Sequence, residues 1–184
     1  GLATKLYGIT FEPRMDIPVY HKDVKVYDVK DQDGRHLALF YADFFPRPTK
    51  RGGAWMTEFR GQCIRNGVEE RPFISIVTNF TKPTGSTPSL ITHDELTTLL
   101  HEFGHSLHGM LAEGRYPSLC GTNVARDFVE LPSQIMENWA FEPEFLDNFA
   151  KDYKTGEVIP TELVNKIVRA KNYLSGYYQV RQLD

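Results

Sequence analysis

The sequence has few cysteines, and the two it has do not form a motif. Cys63 and Cys120 lie far apart and belong to no C-x-x-C pair, which argues against both a disulfide framework and a cysteine zinc site. Two isolated thiols are typical of a reducing compartment, so we expect a cytoplasmic protein. We expect both cysteines to be small buried hydrophobic residues.

Long hydrophobic runs and clusters of basic residues are also absent. No apolar stretch approaches the ~20 residues that a transmembrane helix needs. A net charge of -3, without a run of Lys and Arg, gives no electrostatic footprint for nucleic acid. We therefore expect neither a membrane nor a nucleic acid as a partner. A hydrophobic fraction of 41% and a charged fraction of 24% are those of an ordinary globular protein.

The chain changes from strand patterns to helix patterns near residue 90. Alternating and apolar runs separated by turn residues predict strands in 9–11, 24–29, 36–42, 54–59 and 71–80. The strands at 24–29 and 36–42 form a hairpin around Asp31–Gly34. We find no repeat and no convincing linker, so we predict one α+β unit.

One helical stretch contains the H-E-x-x-H pattern. Residues 99–108 are LLHEFGHSLH, and on a helix His101 and His105 lie one turn apart on the same side, with Glu102 beside them. Thr92 and Glu95 form a T-x-x-E capping box that marks the start of this helix. This pattern places two imidazoles where they can bind one ion and a carboxylate beside them, which is the arrangement found in zinc hydrolases.

A helical wheel separates these histidines from the apolar side of the helix. His101, His105 and His108 lie opposite the apolar stripe, where they face either solvent or a cleft. The stripe consists of Leu96, Leu99, Phe103, Leu107 and Met110. A core histidine would lie within the stripe, so the wheel favours metal binding, with a solvated polar face as the alternative. His108 lies ~10 Å along the axis from His101, too far for all three to bind one ion.

A catalytic zinc needs a third protein ligand, and the extended pattern H-E-x-x-H-x-x-G-x-x-H does not supply it. His108 and Leu111 occupy the positions where that pattern requires Gly and His. The remaining source is a glutamate on a later helix.

Residues 126–139 have helical spacing, with Asp127 as a plausible N-cap and Pro132 near the start. Glu130 and Glu137 share one face of this predicted helix. Either could bind the metal while the other orients a histidine, and both could also be ordinary surface glutamates.

Several ordered motifs together resemble the M3 family of zinc oligopeptidases, the thimet oligopeptidase family. The motifs are HEFGH at 101–105, GTN at 121–123, DFVELPSQ at 127–134, RGGAWM at 51–56 and MENW at 136–139. The resemblance covers essentially the whole chain. It implies a predominantly helical, zincin-like metallopeptidase catalytic domain with a small β-sheet before the H-E-x-x-H helix. We expect a single partial domain, strand-rich in 1–90 and helical and zinc-binding in 91–184.

The resemblance also implies roles for particular residues. His101, His105 and Glu130 would bind one Zn²⁺, and Glu102 would be the catalytic base. The implied function is zinc-dependent hydrolysis of peptide bonds in short peptides, by a peptidyl-dipeptidase or an oligopeptidase that is monomeric at full length. The alternative is a non-catalytic zinc- or peptide-binding module, or a fragment that is inactive without downstream substrate-binding residues.

Both ends of the chain suggest truncation. The chain starts without Met, and five residues keep helical spacing toward an end at Asp184 without a capping Gly or Pro. They are Leu163, Ile167, Ala170, Leu174 and Tyr178. Gly176-Tyr177-Tyr178 looks like the substrate-binding segment of the family but falls too early, so we expect the residues that stabilise the oxyanion to lie beyond Asp184.

Overall fold

Apart from a short helix at the start, strands occupy the first half of the chain and helices the second. The computed structural model describes residues 1–183. The strands are β1 Thr10–Arg14, β2 Lys25–Lys30, β3 His36–Asp43, β4 Trp55–Arg60, β5 Cys63–Arg65, β6 Val68–Glu70 and β7 Phe73–Val77. The helices are α1 Leu2–Tyr7, α2 His93–Met110, α3 Leu131–Glu137, α4 Pro143–Leu146, α5 Thr161–Ala170 and α6 Ser175–Arg181. This composition agrees with the predicted α+β class.

Five of the strands form one mixed sheet. Their order is β1-β2-β3-β7-β4, in which only β3 and β7 run parallel, and β4 is an edge strand. The hairpin predicted around Asp31–Gly34 is confirmed as β2 and β3. Strands β5 and β6 form a separate hairpin that we did not predict, although Asn66-Gly67 at its turn is a strong hairpin signal.

The chain divides into two compact units, Gly1–Glu137 and the part from Asn138 onward. The first unit contains both sheets and helices α1 to α3, and the second contains helices α4 to α6. Among residues 1–183, no helix is both long and apolar enough to cross a membrane.

The helical spacing toward the C-terminus corresponds to two helices. Helices α5 and α6 are separate, because Leu174 between them has a φ of 57°, in the left-handed region that a helix cannot accommodate. The uncapped chain end at Asp184 lies outside the described residues.

Helix α2 begins at the predicted capping box. The Thr92 hydroxyl accepts a hydrogen bond from the Glu95 backbone N–H at 3.2 Å, and the Glu95 carboxylate accepts one from the Thr92 N–H at 2.7 Å. These two bonds satisfy donors that have no partner within the first turn.

The apolar side of α2 packs on the sheet. Leu96, Leu107 and Met110 of the predicted stripe are buried, and the Phe103 ring lies 6.0 Å from the Phe40 ring of β3. Helix α2 contacts β3, β4 and β7. Burying these side chains fixes which way the histidines on the other side of the helix face.

Arg71 connects the C-terminal end of α2 to the sheet. Its guanidinium donates to the carbonyl oxygens of Met110 at 2.9 Å, Ala112 at 3.1 Å and Leu37 at 2.7 Å. The side chain is only 11% exposed. The last carbonyl groups of a helix have no partner within it, so Arg71 both satisfies them and holds the helix end against β3.

Helix α3 begins later than the sequence predicts. We expected a helix over 126–139 with Asp127 as N-cap, but α3 begins at Leu131, and the residues before it form turns. The N–H groups of Phe128 and Val129 both bond to the Ala125 carbonyl oxygen. Pro132 explains the position of the start, because proline is tolerated in the first turn of a helix, where no N–H bond is required.

Helix α3 packs on α2 at a glycine. A Cβ atom placed on Gly104 would lie 2.5 Å from the Cα of Ser133 and 2.7 Å from the carbonyl oxygen of Pro132. Only a residue without a side chain allows this approach. The contact brings the residues around α3 next to the H-E-x-x-H turns of α2.

We expect Arg71→Leu to lower the free energy of unfolding by about 2–4 kcal/mol, because several carbonyl groups lose their charged donor. Urea unfolding measures the change. Arg65→Leu is the control, since Arg65 is 66% exposed and forms only a surface ion pair with Glu70. An Arg71→Leu midpoint equal to that of the wild type would contradict the assigned role.

We expect Gly104→Ala to lower the free energy of unfolding by about 1–3 kcal/mol, because the added methyl group would overpack the helix contact. This loss should appear even though alanine is about 1 kcal/mol more favourable than glycine in the interior of a helix. Gly176→Ala is the matched control, because a Cβ on Gly176 in α6 would meet no atom within 4 Å. Thermal unfolding should show a decrease for the first variant and no decrease for the second. The reverse order would exclude close packing at Gly104.

Candidate metal centre

Three donor atoms from two segments meet beside α2. The Nε2 atoms of His101 and His105 each lie 3.2 Å from Oε2 of Glu130, the residue directly before α3. One donor atom from each of the three residues lies within 4.8 Å of the others. The structure thus brings together the three residues proposed as ligands from the sequence.

Local structure explains why these side chains meet. The helical spacing places the two imidazoles one turn apart, with ring centroids separated by 4.9 Å. The close packing at Gly104 brings the start of α3 to the same place. The buried Ser133 hydroxyl lies 3.0 Å from Oε2 of Glu130 and 2.8 Å from the Glu130 carbonyl oxygen, so it can hold this carboxylate toward the histidines.

The hydrogen bonds of His101 place a lone pair toward Glu130. Nδ1 of His101 lies 2.7 Å from Oε1 of Glu137. An ionised carboxylate can only accept, so Nδ1 carries the proton, and Nε2 of the neutral ring is an acceptor. That acceptor faces another acceptor, Oε2 of Glu130, at 3.2 Å. A cation shared between these atoms, or a second proton on the ring, removes the repulsion.

The environment of His105 favours a neutral imidazole. Burial lowers the pKa of the His105 imidazole, with Glu130 acting in the opposite direction. A neutral imidazole is the form that binds metal. Two neutral imidazoles and a carboxylate are a ligand set found in catalytic zinc sites, so these residues fit zinc.

Glu102 lies beside this cluster but is not part of it. Its side chain projects from α2 into a buried position, and the residue is 8% exposed. Burial raises the pKa of the Glu102 carboxyl, and the nearby Met56 backbone of β4 acts in the opposite direction. A buried carboxyl with a raised pKa next to a candidate metal site is suited to accept and return a proton.

His108 is separate from the three-residue group. Its ring lies 6.2 Å from the Phe128 ring, and burial lowers the pKa of its imidazole. Among residues 1–183, the one group of three or more metal-binding side chains in close proximity consists of His101, His105 and Glu130. This agrees with the helix geometry, which places His108 too far along the axis.

Two other features of the sequence analysis can be placed. Cys63 and Cys120 are buried and unpaired, as predicted. Tyr177 and Tyr178 lie on α6, where each is more than half exposed.

Three contributors to the site were not predicted from the sequence. Gly104 permits the helix contact, Ser133 supports Glu130, and the Met56 backbone lowers the pKa of Glu102 against the effect of burial. A glycine within a helix costs about 1 kcal/mol relative to alanine, so Gly104 was a signal of close packing. Nothing in the sequence pattern indicated the contacts of Ser133 or Met56, because both depend on tertiary packing.

Comparison with known proteins shows similarity along the whole chain. The dipeptidyl carboxypeptidase of Salmonella typhimurium is 49% identical over 95% of this chain, and oligopeptidase A of Escherichia coli is 43% identical over 100% of it. A thimet-like oligopeptidase of Dictyostelium discoideum is 39% identical over 92%. The alignments cover 25%, 27% and 26% of these relatives, so the chain spans about a quarter of their length.

The similarity to one protein family extends over the full length of the chain. The sequence model of Peptidase family M3 matches residues 1–184. The relatives are named peptidases, and the H-E-x-x-H helix lies within the matched region. This chain therefore belongs to peptidase family M3.

Proposed function

We propose that this chain carries the zinc centre of a peptidase that hydrolyses peptide bonds in short peptides. The observation that carries the proposal is the meeting of His101, His105 and Glu130 beside the buried Glu102. Short peptides as substrates follow from relatives that are named oligopeptidases and dipeptidyl carboxypeptidases. Because the chain spans about a quarter of those relatives, the complete reaction is proposed for the full-length enzyme.

In this proposal, His101, His105 and Glu130 hold one Zn²⁺ ion. Zinc bound there would lower the pKa of a water molecule to around 7 and polarise the peptide carbonyl. Burial holds His105 neutral for this role, and Ser133 holds the Glu130 carboxylate in place. These three residues would supply the N and O donor set of a catalytic zinc site, whereas structural zinc sites are filled by four protein ligands.

Glu102 is the proposed general base. Its carboxylate accepts a proton from the water that attacks the peptide carbonyl, and it then delivers this proton to the leaving amine. Burial raises the pKa of this carboxyl toward the working pH, which makes both transfers easier.

The edge of β4 is the proposed place for the substrate backbone. Among the described residues, strand β4 pairs with β7 on one side only, and β4 also contacts helix α2, which carries Glu102. An edge strand presents backbone donors and acceptors that can pair with an extended peptide. A peptide aligned there would pass directly beside the proposed base.

We expect the purified chain to contain one zinc ion and His101→Ala to contain none, because the variant loses one of three ligands. Metal analysis by mass spectrometry measures this content. His108→Ala is the control, since it removes a histidine from the same side of α2 that lies outside the cluster. Equal zinc content in His101→Ala and the wild type would exclude the proposed centre.

We expect Glu102→Gln in the full-length enzyme to retain zinc and to lose about 10²–10⁴-fold in turnover, because the amide cannot accept the proton. Peptide cleavage and metal content are measured on the same preparation. Turnover near that of the wild type would refute the role of the base while leaving the metal centre intact.

A further inference from the structure

We infer that Glu137 is a positioning residue that fixes the tautomer and orientation of His101 for metal binding. The inference rests on the proposed function, because it concerns the same centre. It assigns to Glu137 a task different from that of Glu130, although the sequence pattern alone leaves the two glutamates interchangeable.

The geometry distinguishes the two glutamates by the nitrogen that each contacts. Glu130 lies 3.2 Å from Nε2 of His101, and it also lies 3.2 Å from Nε2 of His105. Glu137 lies 2.7 Å from the other ring nitrogen, Nδ1 of His101. Glu130 therefore belongs to the cluster of donor atoms, whereas Glu137 supports one member of the cluster from behind.

The chemistry of the pair determines what this support does. The carboxylate accepts the proton of Nδ1, so the lone pair of Nε2 points toward Glu130 and His105. A negative charge behind the ring also makes the ring a stronger ligand. Removing the carboxylate frees the ring to rotate and to carry its proton on Nε2, the nitrogen that must bind the ion.

The two histidines are supported unequally. Within residues 1–183, Nδ1 of His105 is buried and has no hydrogen-bond partner. The orientation of His105 therefore depends on packing, since its side chain is only 13% exposed, whereas that of His101 is 26% exposed and depends on Glu137. The loss of Glu137 should consequently affect the less buried of the two histidine ligands.

Zinc affinity tests this role without measuring enzyme activity. We expect Glu137→Ala to bind zinc about 10–100-fold more weakly than the wild type in a chelator competition near neutral pH. Glu137→Gln should lose less, because its amide oxygen can still accept the Nδ1 proton but has no charge. Glu113→Ala is the control, since this glutamate is 69% exposed and lies 3.7 Å from Arg35.

Nuclear magnetic resonance tests the tautomer directly. Long-range proton–nitrogen spectra of the zinc-free chain, at slightly alkaline pH, should show His101 with its proton on Nδ1 in the wild type and in Glu137→Gln. In Glu137→Ala the proton should move to Nε2. A purely structural role for Glu137 would leave this pattern unchanged, so the spectra separate positioning from general stability.

The outcomes distinguish this inference from the proposed function. Wild-type zinc affinity in Glu137→Ala, or a wild-type His101 with its proton on Nε2, would overturn the positioning role alone. If the wild-type chain and His101→Ala both bind no zinc, the proposed function itself fails, and the tautomer of His101 still decides whether Glu137 orients the ring.

Discussion

The close contact between α2 and α3 at Gly104 is the constraint on which the site depends. A side chain at this position would collide with the backbone of Ser133 and Pro132. Without the contact, the two histidines would still lie one turn apart on α2, but Glu130 would not reach them. A position without a Cβ atom thus decides whether a carboxylate lies beside the two imidazoles.

The same contact explains the charge arrangement of the site. It places a carboxylate oxygen within 3.2 Å of two imidazole nitrogens, one of which is held as an acceptor by Glu137. Lone pairs that point at one another repel, and a cation placed between them turns this repulsion into attraction. The buried Glu102 lies on α2, which also contacts the edge strand β4, so a buried carboxyl, the donor cluster and a strand edge occur together.

Much of the local structure could be predicted from residue types. The capping box at Thr92, the apolar stripe of α2 and the hairpin around Asp31–Gly34 all follow from local rules and are confirmed. The start of α3 was placed too early, because helical spacing continues through residues that instead form turns before Pro132. The hairpin at Asn66-Gly67 was missed because its strands have only three residues each.

The sequence by itself determined that His101 and His105 share one side of a helix with Glu102 beside them, since helix periodicity and capping are local properties. Its helical spacing left Glu130 and Glu137 equivalent, because two positions on one face of a helix have the same relation to any partner, and only the resemblance to the M3 family favoured Glu130. The tertiary structure decided which carboxylate lies beside which nitrogen, since packing at Gly104 sets these distances. Distances between segments remote in sequence depend on packing, and no local pattern encodes them.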